Sequence, residues 1–114
     1  MSFFDSDIVK AEMADIHQLQ EEIYSSVMNF PYMSAADKTE HINLLSELVE
    51  KQKVMYARLS LSDDPDAKKM KEQIVESASM MGIPSSTDMS KVFEQMSTMV
   101  QTLKTQIDKN QFSL

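Results

Sequence analysis

Apolar residues recur along the chain at intervals of three and four, the repeat of an α-helix with one buried face. The first run carries Val9, Met13, Ile16, Ile23 and Val27 on one stripe, with Leu19 beside it. Asp5 or Ser6 stands in front as a cap, and the run ends before "NFPYM", where Pro31 disfavours helical geometry at Phe30. "SAAD" places Ser34 as the next N-cap, with Asp37 in the capping-box position. A broad apolar face follows through Ile42, Leu45, Leu48, Val49, Met55, Tyr56 and Leu59, which marks the central helix.

In "SLSDDPDAKKM" Asp64 can cap, Pro65 suits the first helical position and Asp66 favours the positive end of the helix dipole. A third helix is predicted there, carrying Ala67, Met70, Ile74, Ala78 and Met81 and stopping at Gly82, with Pro84 beyond. Thr87 or Asp88 caps the last one, whose Met89, Val92, Phe93, Met96, Met99, Val100, Leu103 and Ile107 hold the spacing for five turns. Such a stripe can seal a bundle or pair with another chain. No strand pattern or internal repeat is visible. The expectation is an all-α fold, a small bundle of about four helices with short connections, forming one domain over 1–109 with an apolar tail at 110–114.

Composition narrows the chemistry. One glycine and three prolines in 114 residues fit long helices with short joints, and eleven methionines supply helix-compatible, adaptable apolar side chains. With no cysteine there are no disulfides or thiolate ligands, so a reducing, cytoplasmic setting is expected. No apolar run reaches the roughly 20 residues of a membrane span, so no membrane association is expected. The net charge of −7 opposes direct nucleic-acid binding. Acid is concentrated early, where Asp5, Asp7, Glu12, Asp15, Glu21 and Glu22 face only Lys10, a balance suited to a basic protein surface.

Catalytic patterns are missing. His17 lies one turn before Glu21 and His41 one turn after Asp37, but neither histidine has the Glu three residues earlier that a bundle di-iron site uses. One glycine cannot build a phosphate-cradling loop, and Lys68, Lys69 and Lys71 are interleaved with Asp66, Glu72 and Glu76 as a solvated face. No enzyme activity, metal or cofactor is expected. Apolar groups instead gather at three places that point to binding: Phe3 and Phe4, then Met80, Met81 and Ile83 around the Gly82 stop, and the final residues. "NQFSL" loosely resembles, one residue shorter between Gln and the apolar position, the Gln-x-apolar-x-Leu peptides that enter the groove of a sliding clamp, with Gln111, Phe112 and Leu114 as candidate contacts. A tail folding back on the bundle is the alternative.

The segments "FFDSDIVKAEM", "LVEKQKVMYARLSLSDDPDAKKMKEQI", "ESASMMGIP" and "MSTMVQTLKTQID" resemble the late-transcription coactivators of tailed phages that infect cyanobacteria. They also resemble a small uncharacterised cyanobacterial family with an FFDSE-like opening. The coactivator resemblance implies a non-enzymatic adaptor in the cytoplasm of the infected host. Such a protein binds host RNA polymerase at the β-subunit flap, works with a phage sigma-like late factor and reaches the sliding clamp through a C-terminal apolar motif. For the polymerase contact the residues nominated are Phe93, Met96, Met80, Met81 and Ile83. Two rival expectations are an inhibitor of host transcription acting on polymerase or sigma, and a self-associating helical protein built through the Val92 to Ile107 stripe.

Overall fold

The computed structural model describes residues 3–84 and 87–109. Among them are four α-helices, α1 (Asp7–Ser26), α2 (Ala35–Leu61), α3 (Pro65–Met80) and α4 (Met89–Asp108), with two short 3₁₀ segments at Phe3–Asp5 and Val27–Tyr32 and no strand. The expected all-α bundle is therefore the fold.

Each helix begins where a side chain accepts a hydrogen bond from an otherwise orphaned backbone N–H. Ser6 Oγ accepts from Val9 N, Ser34 Oγ from Asp37 N, Asp64 Oδ1 from Asp66 N and Asp88 Oδ1 from Ser90 N. Of the alternative caps, Ser6 and Asp88 are the ones used. The end of α3 is a Schellman turn: Ile83 N donates to Ala78 O and Gly82 N to Ser79 O, both at 3.0 Å, with Gly82 at a φ of 96°. A side chain there would strain the backbone, which is why the only glycine in the chain stands at this point.

The 27-residue α2 is the spine. Along one flank α4 runs antiparallel to it, since Glu50 accepts from Ser97 Oγ while Tyr56 packs on Phe93 with ring centroids 5.8 Å apart. Phe93, Val100 and Ile107 recur every seven residues on α4, as do Ile42, Val49 and Tyr56 on α2. The two series form a coiled-coil-like seam in which Ile42, Val49, Val100 and Ile107 make one buried cluster and Phe93 is buried beside Tyr56. Val100, Leu103 and Ile107 of the α4 stripe thus pack within this chain's own bundle, while Met96 and Met99 of the same stripe stay exposed. On the other flank α1 is also antiparallel, with Leu19 and Ile23 clustered against Leu48. Arg58 Nε lies 3.1 Å from Glu12 Oε2 and Lys51 Nζ 3.5 Å from Asp15 Oδ2. Part of the early acidic surplus is accordingly neutralised by α2.

The N-terminal aromatics turn inward. Phe3 and Phe4 meet edge-on and pack on a third cluster of Val9, Met55, Leu59 and Ala67. Asp64 fixes them there: while one oxygen caps α3, its Oδ2 accepts from Phe3 N at 2.6 Å. These backbone donors hold the Asp64 carboxyl below the ordinary aspartate range.

One expectation is corrected. Val27 does not join the α1 core stripe, because the helix tightens after Ser26 into a 3₁₀ segment that continues through Pro31 and turns Val27 outward. His41 packs inside the bundle and not at its surface. It is buried, with Nδ1 3.1 Å from Ser26 Oγ and its ring beside Phe30, and burial lowers its pKa.

Candidate functional site: a methionine-lined groove

The outer helices lie along α2 without covering all of it. The molecule measures 49 × 31 × 19 Å, and its short dimension is about that of two helices side by side. Its radius of gyration of 16.1 Å exceeds the roughly 13 Å of a compact chain of this length. In the space left open all four helices border a groove of about 670 Å³.

Each wall follows from the local sequence. The floor is Gln52, Met55, Tyr56 and Leu59, one face of the C-terminal half of α2. One side is Met13, Ile16, His17 and Gln20 of α1, spaced at three and four. α3 supplies Met70, Gln73, Ile74, Ser77 and Ala78, and the Schellman turn swings Met81 and Ile83 onto the rim. Met89, Val92, Phe93 and Met96 of α4 close the circuit.

Charge and sulfur set this lining apart. None of these residues is Asp, Glu, Lys or Arg, in a chain where those types make up 25 %. Six of the eleven methionines, Met13, Met55, Met70, Met81, Met89 and Met96, line the groove. Unbranched thioether side chains repack around differently shaped apolar partners, while the amides of Gln20, Gln52 and Gln73 can hydrogen-bond at the edge. The groove is thus chemically suited to receiving apolar side chains from another molecule, and its only ionisable groups are the His17 imidazole and the Tyr56 phenol. His17 itself is exposed, with Nε2 3.0 Å from Glu21 Oε1.

Of the five residues nominated for polymerase contact, Phe93, Met96, Met81 and Ile83 come together on this one groove. Phe93 is 8 % exposed and forms wall, whereas Met81 is 85 % exposed and stands at the lip. Met80, equally exposed, is not among the lining residues. The clamp candidates Gln111, Phe112 and Leu114 lie outside the described residues. The α1 wall and the Gln52 and Tyr56 floor were missing from the sequence-based nomination. Met13, Ile16 and Tyr56 read as ordinary core positions, and the signal that separates them is their sharing of methionine-rich faces with α3 and α4.

Among the described residues no group of three or more His, Asp or Glu side chains is placed to hold a metal ion, and no helix is long and apolar enough to cross a membrane. A shallower cleft between α2 and α3 is bordered by Lys68 and Lys71 together with Glu72 and Glu76, so its charges offset one another.

No curated protein and no solved structure matches the chain. A family model does, over residues 1–107, nearly the whole length, and the chain therefore belongs to the family described as Domain of unknown function (DUF1825).

Proposed function

We propose that this protein is a non-enzymatic adaptor of phage late transcription. The methionine-lined groove docks on host RNA polymerase at the β-subunit flap, alongside a phage sigma-like late factor. Gln111, Phe112 and Leu114 engage the sliding clamp, with Phe112 and Leu114 as apolar anchors. The observation that carries the reading is the groove: four residues nominated independently from the sequence converge on one uncharged surface bordered by all four helices. The sequence resemblance to the coactivators supplies the identity of the partners. Net charge supports a protein partner over nucleic acid, since −7 repels phosphate.

The geometry is compatible with two simultaneous engagements. From Met96 to the end of α4 at Asp108 the helix advances about 18 Å, so the groove and the C-terminal end of α4 are separated along that helix. An adaptor holding polymerase at one place and a DNA-mounted clamp at another raises the effective concentration of polymerase near promoters without new base contacts.

The test is binding of the full chain to purified host RNA polymerase and to clamp, measured separately. Met81→Asp with Met96→Asp is expected to abolish polymerase binding and leave clamp binding intact; Phe112→Ala with Leu114→Ala is expected to do the reverse. Loss of neither interaction would overturn the proposal. Clamp-dependent output from late promoters in vitro separates an activator from an inhibitor, which would lower host transcription without clamp.

A further inference from the structure

We propose that the lip of the groove is a modification site, at which a hydroperoxide converts the thioether of Met81, and then that of Met96, to sulfoxide and so closes the groove to apolar partners. This inference rests on the groove itself and not on which protein fills it.

The chain has eleven methionines and no cysteine, so thioethers are its only sulfur nucleophiles toward peroxide. Access to them is graded across the groove. Met81 at the lip is 85 % exposed and Met96 is 37 % exposed, whereas Met89 and Met55 in the wall and floor are 7 % and 5 % exposed. In the reaction a sulfur lone pair attacks the outer oxygen of hydrogen peroxide. An S–O bond forms, the O–O bond breaks, sulfur is oxidised by two electrons and the released hydroxide takes a proton to leave as water. The product replaces a flexible apolar side chain with a polar, hydrogen-bond-accepting one. An apolar ligand side chain laid over that oxygen offers it no hydrogen-bond donor and displaces the water that would, so burying it there costs binding free energy.

The molecule contains its own control. Met80 and Met99 are 84 % and 64 % exposed and are not among the groove-lining residues, so they should oxidise readily without affecting what the groove holds.

The full chain would be treated with graded hydrogen peroxide, sulfoxide located at each residue by fragment-ion mass spectrometry, and the groove probed with Nile red, an uncharged apolar dye. We expect sulfoxide at Met81 well before Met55 or Met89, and a loss of Nile red affinity of roughly tenfold with helical circular dichroism unchanged. Met81→Leu with Met96→Leu should keep its affinity after peroxide, while Met80→Leu with Met99→Leu should lose it like the wild type. Equal oxidation of Met55 and Met81, no binding of Nile red before treatment, or equal losses in both variants would overturn the proposal. Failure to bind polymerase would overturn the transcription reading and leave this one standing.

Discussion

The two ends of the α2 spine are built from different side chains. Toward its N-terminal half the clusters consist of Ile42, Val49, Val100 and Ile107, then Leu19, Ile23 and Leu48, with Phe30, Leu44, Leu45 and Leu103 around them. None of these is a methionine. Toward its C-terminal half the cluster is Val9, Met55, Leu59 and Ala67, ringed by Phe3, Phe4, Met13, Ile16, Met70 and Ile74. Branched aliphatics with few rotamers interlock across a seam and close it. Methionine with three rotatable bonds sits where the helices do not close, and keeps that surface adaptable. One half of the protein is closed by interlocking side chains; the other leaves a groove open along α2.

The largest break in this contrast is expected from the closed half. Ile42→Ala removes a buried side chain from the α2–α4 seam and should cost about 2–5 kcal/mol of unfolding free energy, read by urea denaturation. Gly82→Ala comes next. A Cβ there meets nothing within 4 Å, so only the φ of 96° penalises it, by about 1–2 kcal/mol. The same variant should disturb the groove by shifting Met81 and Ile83.

Two titrations sharpen the comparison further. Because burial lowers the pKa of His41 below 6.5, the unfolded chain takes up a proton that the folded chain resists. Stability is therefore full above pH 6.5 and falls as pH drops from there toward the folded value. His41→Gln should flatten that limb of the denaturation profile. Asp64 works at the other end with the carboxylate sign: its pKa lies below 3.8, so its contribution is present above that pH and is lost as acid protonates the folded carboxyl. Asp64→Ala should remove this acid dependence and loosen the Phe3–Asp5 segment, visible as faster amide exchange there. Smallest of all is the stability effect of Met81→Gln, expected within about 0.5 kcal/mol because the side chain stands at the surface. Its effect on partner binding should be large, and that dissociation of stability from binding distinguishes the open half.

Much of the fold was legible in the sequence because its signals are local. Ser34, Asp64, Pro65 and Gly82 each act within a few residues, and the positions read as caps and stops are where α2 and α3 begin and α3 ends. Periodicity also identified α2 as the central helix. What it could not distinguish was an apolar face that meets another helix from one that borders open space, since Ile42 and Met55 obey the same spacing. Which face stays open depends on how four helices share one spine, a long-range property. For the same reason the second role of Asp64, holding Phe3 across 61 residues, and the Ser26 partner of His41 were invisible. Val27 misled because a local change to 3₁₀ geometry resets the phase of the stripe. Met81, Ile83, Phe93 and Met96 were legible from excess apolarity and fall on the rim after α3 and on the α4 side of the groove, whereas the α1 wall needed the tertiary structure.

The central proposal, that the open half docks on polymerase, is tested most directly by site-specific photo-cross-linking. A photoreactive amino acid would be placed at position 96 in the groove or at position 28 on the exposed 3₁₀ segment, with purified host RNA polymerase added to each full-length protein. The account predicts a cross-link to the β subunit from position 96 and none from position 28. Cross-linking from position 28 alone, or from neither, would contradict it.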